Sequence, residues 1–360
     1  MKTLFARRRK ALQTQLAERR LSSLLITDPV SWYYLAGFTG DAGALIVSRR
    51  GTILFTDGRF TAQARQETSA IRIIPQKGSL ASAVGQFFKG GGRVRVGFDP
   101  GQVTVAQLRA VQKEVGPRVR LVPVNGLVQQ LRNRKDPEEI GRMRKAAMLA
   151  SGIMKDALKL LKPGVREFEV AAEIEYQMRQ RGGSGPAFET IVAFGERSAY
   201  PHARPTGKRL RKNELVVLDL GVILAHYCSD ITRTVVVGGA SARVRRWHKA
   251  VQEAQEAAIE STNAGVRCEE VDAAARRVLA GYRLDRYFVH STGHGLGLAV
   301  HEDPRIAKGQ TQTLEPGNVI TIEPGVYVPG VGGIRIEDDV AIHAGRTEVL
   351  TRGARELIEI

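Results

Sequence analysis

Three segments of this chain recur, in the same order, about a hundred residues downstream. GVREFEVAAEIE at 164–175 resembles GVRCEEVDAAAR at 265–276, and PHARP at 201–205 resembles VHEDP at 300–304. LRKNELVVLDLGV at 210–222 resembles LEPGNVITIEPGV at 314–326. The offsets are 101, 99 and 104 residues. Each match alone is weak, but three in one order at nearly one spacing indicate a duplicated unit. Each half reads as helix, helix, histidine segment and β-hairpin. Two such halves related by a pseudo-twofold axis would bring their hairpins together and cover them with helices, an α+β arrangement.

Both hairpins carry acids where burial is expected. In VVLDLGVILAHYCSDITRTVVV, 216–237, two apolar strands hold one aspartate each, Asp219 and Asp230. A buried carboxylate without a compensating partner is costly, or it picks up a proton and neutralises. The repeat aligns Asp219 with Glu323 and His202 with His301, and GGIRIEDDV supplies Glu337 as the rough counterpart of Asp230. Period-two alternation puts Val319, Thr321 and Glu323 on one strand face, and Arg335 and Glu337 on one face of theirs. A turn near Leu224–Ala225 would set Asp219 opposite Asp230. Four convergent carboxylates repel one another unless cations hold them. An oxygen-rich set with one imidazole suits two divalent ions, Mn²⁺ foremost, with Co²⁺ and Zn²⁺ as alternatives. The candidate imidazole is His294 in STGHGLGLAVHEDP, where the flanking glycines allow a tight backbone and close approach. Any one of these acids alone is better read as an ordinary ion pair. The five residues together, set in a repeat, point to metal.

Residues 1–128 read differently. Strand-like runs LLIT, GALIVS, TILFTD, IRIIP, RVGFD and RLVPV alternate with helix-like stretches near 59–69, 79–89 and 104–115, the pattern of an α/β domain. A polar link, LRNRKDPEE at 131–139, follows, so the boundary is placed near residue 128 and the second domain spans 129–360. Asp136-Pro137 supplies an N-cap and a first-turn proline for a helix of about 25 residues, ending at Lys162-Pro163-Gly164.

Composition narrows the function classes. The net charge is +17, and residues 1–130 hold 20 Lys and Arg against 7 Asp and Glu, so +13 of it lies there. No helix-turn-helix, zinc finger or aromatic-basic platform accompanies that charge, which favours a solvated arginine-rich surface over a nucleic-acid or anionic-surface site. No apolar run is long enough to cross a membrane. MKTLFARRRKALQTQLAERR lacks an apolar h-region and reads as a basic amphipathic helix. Two distant cysteines, Cys228 and Cys268, do not make a disulfide framework, so a cytoplasmic setting is expected.

The motifs VVLDLGVILAHYCSDITRT, STGHGLGLAVHEDP, NVITIEPGVYV and GGIRIEDDV resemble, in succession, those of the pita-bread metallopeptidases, and within them aminopeptidase P and prolidase. ITDPVSWYYLAGFTGDAGALIV and ILFTDGRFTAQA are similar to the creatinase-type N-terminal domain of that branch, so the resemblance covers nearly the whole chain. It implies an α/β domain followed by a pita-bread domain. It also implies two metal ions, with Asp219 a terminal ligand of one, His294 and Glu323 ligands of the other, and Asp230 and Glu337 bridging. Such a pair of ions makes hydroxide available near neutral pH. Glu323 would shuttle the proton to the leaving nitrogen, and His301 and His202 would bond the substrate and tetrahedral intermediate. His290, four residues before His294, corresponds to a further histidine lining the family's site. Arg335 would either orient Glu337 or meet the substrate.

The activity implied is hydrolysis of the bond between an N-terminal residue and proline, in Xaa-Pro dipeptides, longer peptides or both. A homodimer is also implied, with WYYLAGFTGD at 32–41 a candidate contact. Methionine aminopeptidase activity shares the ligand pattern, and the creatinase-like domain argues against it. A nucleic-acid-binding module built on the basic domain is the alternative from another class. Ala299 stands where many relatives have an acid, a change in the pocket wall. Cys228, His248 and His343 read as structural, and His226 and Tyr227 as marginal pocket candidates.

Overall fold

The amino-terminal alternation of apolar runs and helical stretches becomes a six-stranded sheet in the computed structural model, which describes residues 2–89 and 92–360. Its strands are β1 (Ser23–Ile26), β2 (Ala44–Ser48), β3 (Gly51–Thr56), β4 (Arg72–Pro75), β5 (Val94–Phe98) and β6 (Val119–Pro123), in the spatial order β4-β3-β2-β1-β5-β6. β1, β2 and β3 are antiparallel neighbours, and the remaining contacts are parallel. Six helices accompany them among the described residues: α1 (Lys2–Glu18), α2 (Pro29–Ala36), α3 (Thr61–Glu67), α4 (Leu80–Phe88), α5 (Val105–Val115) and α6 (Leu127–Asn133). Of these, α1, α3, α4 and α5 fall where the sequence reads as helix. Leu12 and Leu16 of α1 are fully buried, so its apolar side faces inward. Arg8 and Arg9 are buried too. They donate to the carbonyls of Tyr34 and Leu35 at 3.1 and 2.9 Å, in the last turn of α2. Part of the basic excess thus satisfies helix-end carbonyls that would otherwise lack partners. The first unit ends at Arg132 and the second begins at Asn133, within the last turn of α6.

In the second unit, Asp136 caps α7 (Pro137–Leu158) through a reciprocal box with Glu139, with proline in the first turn. α8 (Glu167–Gln180) follows. The first half continues with β7 (Gly185–Pro186), β8 (Ile191–Phe194), β9 (Glu214–Leu220), β10 (Val222–Leu224), β11 (Tyr227–Cys228) and β12 (Ile231–Val237). The second half has α9 (Ala242–Ser261) and α10 (Cys268–Gly281), then β13 (Gly293–Gly295), β14 (Glu302–Ile306), β15 (Val319–Ile322), β16 (Gly325–Val328), β17 (Gly332–Arg335), β18 (Asp338–His343), β19 (Arg346–Val349) and β20 (Ile358–Glu359). The sheets are ordered β20-β12-β9-β8 and β14-β13-β15-β18-β19, with a β16-β17 ribbon and a small β11-β10-β7 sheet.

The duplication is visible in the cores. Ala146, Ala150, Ile153, Val170 and Ile174 of α7 and α8 pack on Val216, Leu218, Leu220, Ile231 and Val235. Ala250, Ala254, Val271 and Ala275 of α9 and α10 pack on Ile320, Ile322, Val340 and Ile342. Since alternate residues face opposite sides of a strand, Asp219 between Leu218 and Leu220, and Glu323 after Ile322, point away from the helices. Those acid-bearing faces meet. Thr232 of β12 donates to Glu337 Oε2 at 2.5 Å, and the Arg335 amide donates to Thr234 Oγ1 at 3.0 Å.

The hairpin registers differ between the halves. Leu224 pairs with Tyr227, so the first turn is centred on Ala225–His226, one residue beyond the expected position. Asp219 therefore lies opposite Thr232, with Asp230 diagonal to it on the same face. In the second hairpin Thr321 pairs with Asp339 and Gly325 with Arg335, a register that sets Glu323 opposite Glu337. Ala225 and His226 have φ of 49° and 72°. Both positions of such a turn demand a left-handed backbone, which costs alanine roughly 1–2 kcal/mol. Ala225→Asn is expected to raise stability by about 0.5–1 kcal/mol, read as a higher midpoint in thermal unfolding. No gain would mean that the turn is not strained.

Candidate metal centre

A cavity of about 260 Å³ in the second unit is lined by Asp219, Asp230, His294, Glu323 and Glu337, together with His202, His301 and Arg335. Phe188, Ile191 and Ala203 give it an apolar side, and Glu189 and Arg204, paired at 3.0 Å, are its exposed charges. Asp230, His294 and Glu337 each present a ligand atom within 4.8 Å of the others, the one such trio of potential metal-binding groups among the described residues. His294 Nε2 lies 3.4 Å from Glu323 Oε1 and 3.9 Å from Asp230 Oδ2.

The electrostatics are those of a site built for cations. Asp219, Asp230 and Glu337 are each less than a tenth exposed. Burial, with Glu337 and Asp219 adding repulsion, pushes the Asp230 carboxyl well above its usual range. Burial does the same to Glu337, helped by Glu323 and Asp219. Glu323 is pushed up to about 8, again mainly by burial. Asp219 Oδ1 and Asp230 Oδ1 are buried and have no hydrogen-bond partner among the described residues. Orphaned buried acceptors of this kind are rare in native proteins and call for an unfilled partner. Burial lowers His294 to about 4, so its ring is neutral, and Nδ1 lies 3.0 Å from the Gly295 carbonyl. That bond places the proton on Nδ1 and leaves the Nε2 lone pair aimed at the acids, the arrangement a metal-binding imidazole requires. The donor set, hard carboxylates with one neutral imidazole, therefore fits divalent cations.

Several residues hold this geometry. The Arg335 guanidinium is 2% exposed and donates to Asp219 Oδ2 at 2.6 Å, Tyr327 Oη at 2.5 Å, and Thr232 Oγ1 and the Pro201 carbonyl at 3.1 Å. It steadies Asp219 rather than Glu337. Thr321 Oγ1 accepts from the His294 amide and donates to Glu323. Asp339 Oδ2 accepts the Asp230 amide at 3.1 Å.

The histidine segments are braced as well. Buried Glu167 accepts from Thr206 and Arg197 on either side of His202. Buried Asp272 accepts from Thr292, whose carbonyl takes the Glu323 amide. Lys135 and Glu302, paired at 3.2 Å and almost fully buried, anchor the residue after His301. Period-two alternation puts Thr232 on the face of Asp230, Asp339 on that of Glu337 and Tyr327 on that of Glu323, whereas the two bracing acids carry no such signal, since each works through a contact that is distant along the chain. For Asp339 the tandem acids of IEDDV are a further hint.

The predicted histidines separate into two groups. His202 and His301 line the cavity, and the His301 ring packs against His294 at 4.4 Å between centroids. His290 does not line it. Its Nε2 lies 2.9 Å from Tyr327 Oη, which places it behind Arg335. Tyr227 is buried and donates to Glu139, so it too lies off the cavity. His248 is buried, and His343 bonds Glu348 at 2.8 Å. Cys228 and Cys268 are buried thiols.

Comparison with known proteins agrees with this geometry. Residues 141–344 match the family model of metallopeptidase family M24, and residues 8–134 that of the creatinase/prolidase N-terminal domain. A Xaa-Pro dipeptidase of Pyrococcus furiosus is 44% identical over 65% of this chain and 68% of its own length. The solved structure of a Xaa-Pro dipeptidase from Bacillus anthracis superposes with a TM-score of 0.95 at 35% identity, over 99% of this chain and all of that one. An X-Pro aminopeptidase from Thermotoga maritima gives 0.87 at 33% identity, over 96% and 99% of the two chains.

Proposed function

Because the chain belongs to metallopeptidase family M24 and carries a creatinase/prolidase N-terminal domain, we propose that it is a dinuclear exopeptidase that cleaves an N-terminal residue from a following proline. The observation that carries this reading is the pair of buried, unpartnered carboxylate oxygens on Asp219 and Asp230, beside an imidazole held with its lone pair towards the acids. Asp219, Asp230, His294, Glu323 and Glu337 would hold the ions, Mn²⁺ foremost. The ions supply Lewis acidity and a water of lowered pKa.

The protein's own groups do the rest. Glu323 takes the proton of the attacking water and delivers it to the proline nitrogen, which has no hydrogen of its own. His202 and His301 donate to the substrate carbonyl as its oxygen gains charge. Arg335 keeps Asp219 fixed in direction. His290 and Tyr327 keep Arg335 in place. Phe188, Ile191 and Ala203 offer the apolar wall that a proline ring needs.

The named relatives include both a dipeptidase and an aminopeptidase, so both substrate lengths remain within the proposal. A homodimer in a reducing cytoplasm fits the family resemblance and the two thiols. No described helix is long and apolar enough to cross a membrane.

A panel of Met-Ala, Ala-Pro and Ala-Pro-Ala tests the assignment. Cleavage of the proline peptides but not Met-Ala is expected, and preference for Met-Ala would place the chain with the methionine aminopeptidases. His301→Ala is expected to retain its metal while turnover falls roughly 10²-fold or more. Loss of metal in that variant would make His301 part of the ion-binding set.

A further inference from the structure

Four arginines surround a recess of about 550 Å³ on the second unit, which shares no lining residue with the metal-centre cavity. Arg243 and Arg246 come from the first turns of α9, and Arg283 and Arg286 from the segment after α10. None of the four has an acid within ion-pair distance among the described residues. Other cations of the same helix do: Arg245 pairs with Glu359, and Lys249 with Glu253 at 3.8 Å. The charges of α9 that point elsewhere are neutralised, and those around the recess are not.

Two of the guanidiniums are already seated. Arg246 donates to the Tyr282 carbonyl at 2.9 Å and lies 5.7 Å from the centre of that ring. Arg286 donates to Tyr287 Oη at 2.9 Å and lies 4.8 Å from its ring. Aromatic faces fix such cations at little entropic cost. Arg243 and Arg283 stay exposed and able to close on a ligand. Four like charges around one concavity repel until an anion joins them. Guanidinium forks match phosphate oxygens in pairs, and linked phosphates supply the matching number of negative charges. Strand β16 separates the recess from the metal centre. Val328 lines the recess, while the preceding Tyr327 bonds Arg335.

We propose that this recess binds a small molecule carrying two or more linked phosphates, as in inorganic polyphosphate or a nucleoside di- or triphosphate. The cations ring one concavity rather than forming a stripe, which suits a compact polyanion better than a nucleic-acid backbone.

The test is calorimetric titration of the full chain with tripolyphosphate, ADP and citrate at physiological salt. Two variants are compared with the wild type: Arg243→Gln with Arg283→Gln, and Arg211→Gln with Arg346→Gln, which makes the same charge change at exposed positions outside the recess. One phosphate ligand should bind per chain. Affinity should weaken about 10-fold or more in the recess variant and hold in the control, with peptidase turnover unchanged in both. Tighter binding of ADP than of tripolyphosphate would assign the recess to nucleotides, and the reverse order to inorganic polyphosphate. Equal weakening in both variants, no phosphate binding, or equally tight citrate binding would overturn the proposal.

Discussion

Replacing Asp230 or Glu337 by alanine is expected to abolish metal retention and turnover together. Each acid is buried within ligand distance of His294, so losing either removes a donor and leaves a hole that water cannot fill with equal charge. Turnover should fall well beyond the 10–100-fold typical of groups that only support a ligand. The chelated variant should also be more stable than the chelated wild type at neutral pH. Removing one carboxylate removes a buried charge and its repulsion of the others, and burial first, with that repulsion added, is what drives Asp230 and Glu337 above their usual range. Metal analysis, turnover and thermal unfolding on one preparation give all three readings. A variant that kept its metal and activity would show that the acids are merely structural.

The second large effect is on stability against pH. Glu323 is pushed up to about 8, and Asp230 and Glu337 are raised as well. An acid whose pKa rises on folding stabilises the fold fully below its unfolded value, near 4. That stability is lost as pH rises through the folded value. The buried histidines His248, His290 and His294, lowered to about 4, add stability only as pH rises towards 6.5, so in chelator the melting temperature should fall between about pH 7 and 8.5, by an amount equivalent to about 1 kcal/mol or more. Glu348 and Asp156, held down to about 2 by Arg144 and by Lys159 and Arg181, act in the opposite direction. Their contribution is lost only as pH falls towards 2, outside that window. Saturating metal binds the ionised site, so its stabilisation should grow with pH. A melting temperature of the chelated chain that stayed flat or rose across the window would contradict the crowding of these carboxylates.

Much of this was legible in the sequence, for identifiable reasons. The helix beginning at Pro137 announces itself by its capping residue, and the repeat ties Asp219 to Glu323 before any contact is known. Acids in strands otherwise suited to burial are conspicuous because burial penalises charge. Register was less legible: a one-residue shift of the first turn, allowed by left-handed Ala225 and His226, moved Asp230 from directly opposite Asp219 to diagonal. His290 is placed at the site by the family resemblance rather than by any pattern in the chain, and its ring bonds Tyr327, which in turn bonds Arg335. The Arg335–Asp219 contact joins residues 116 apart in the chain and was not foreseeable from strand alternation alone.

The claim on which the rest depends is that acids from both hairpins and the His294 imidazole together hold catalytic cations. The most direct measurement is metal content of the chain equilibrated with Mn²⁺, Co²⁺ or Zn²⁺, taken alongside hydrolysis of Ala-Pro as occupancy rises. The account predicts binding that approaches two ions per chain, with hydrolysis tracking occupancy and vanishing in chelator. A chain that takes up no ion, or that cleaves Ala-Pro equally well with its metal stripped, would contradict it.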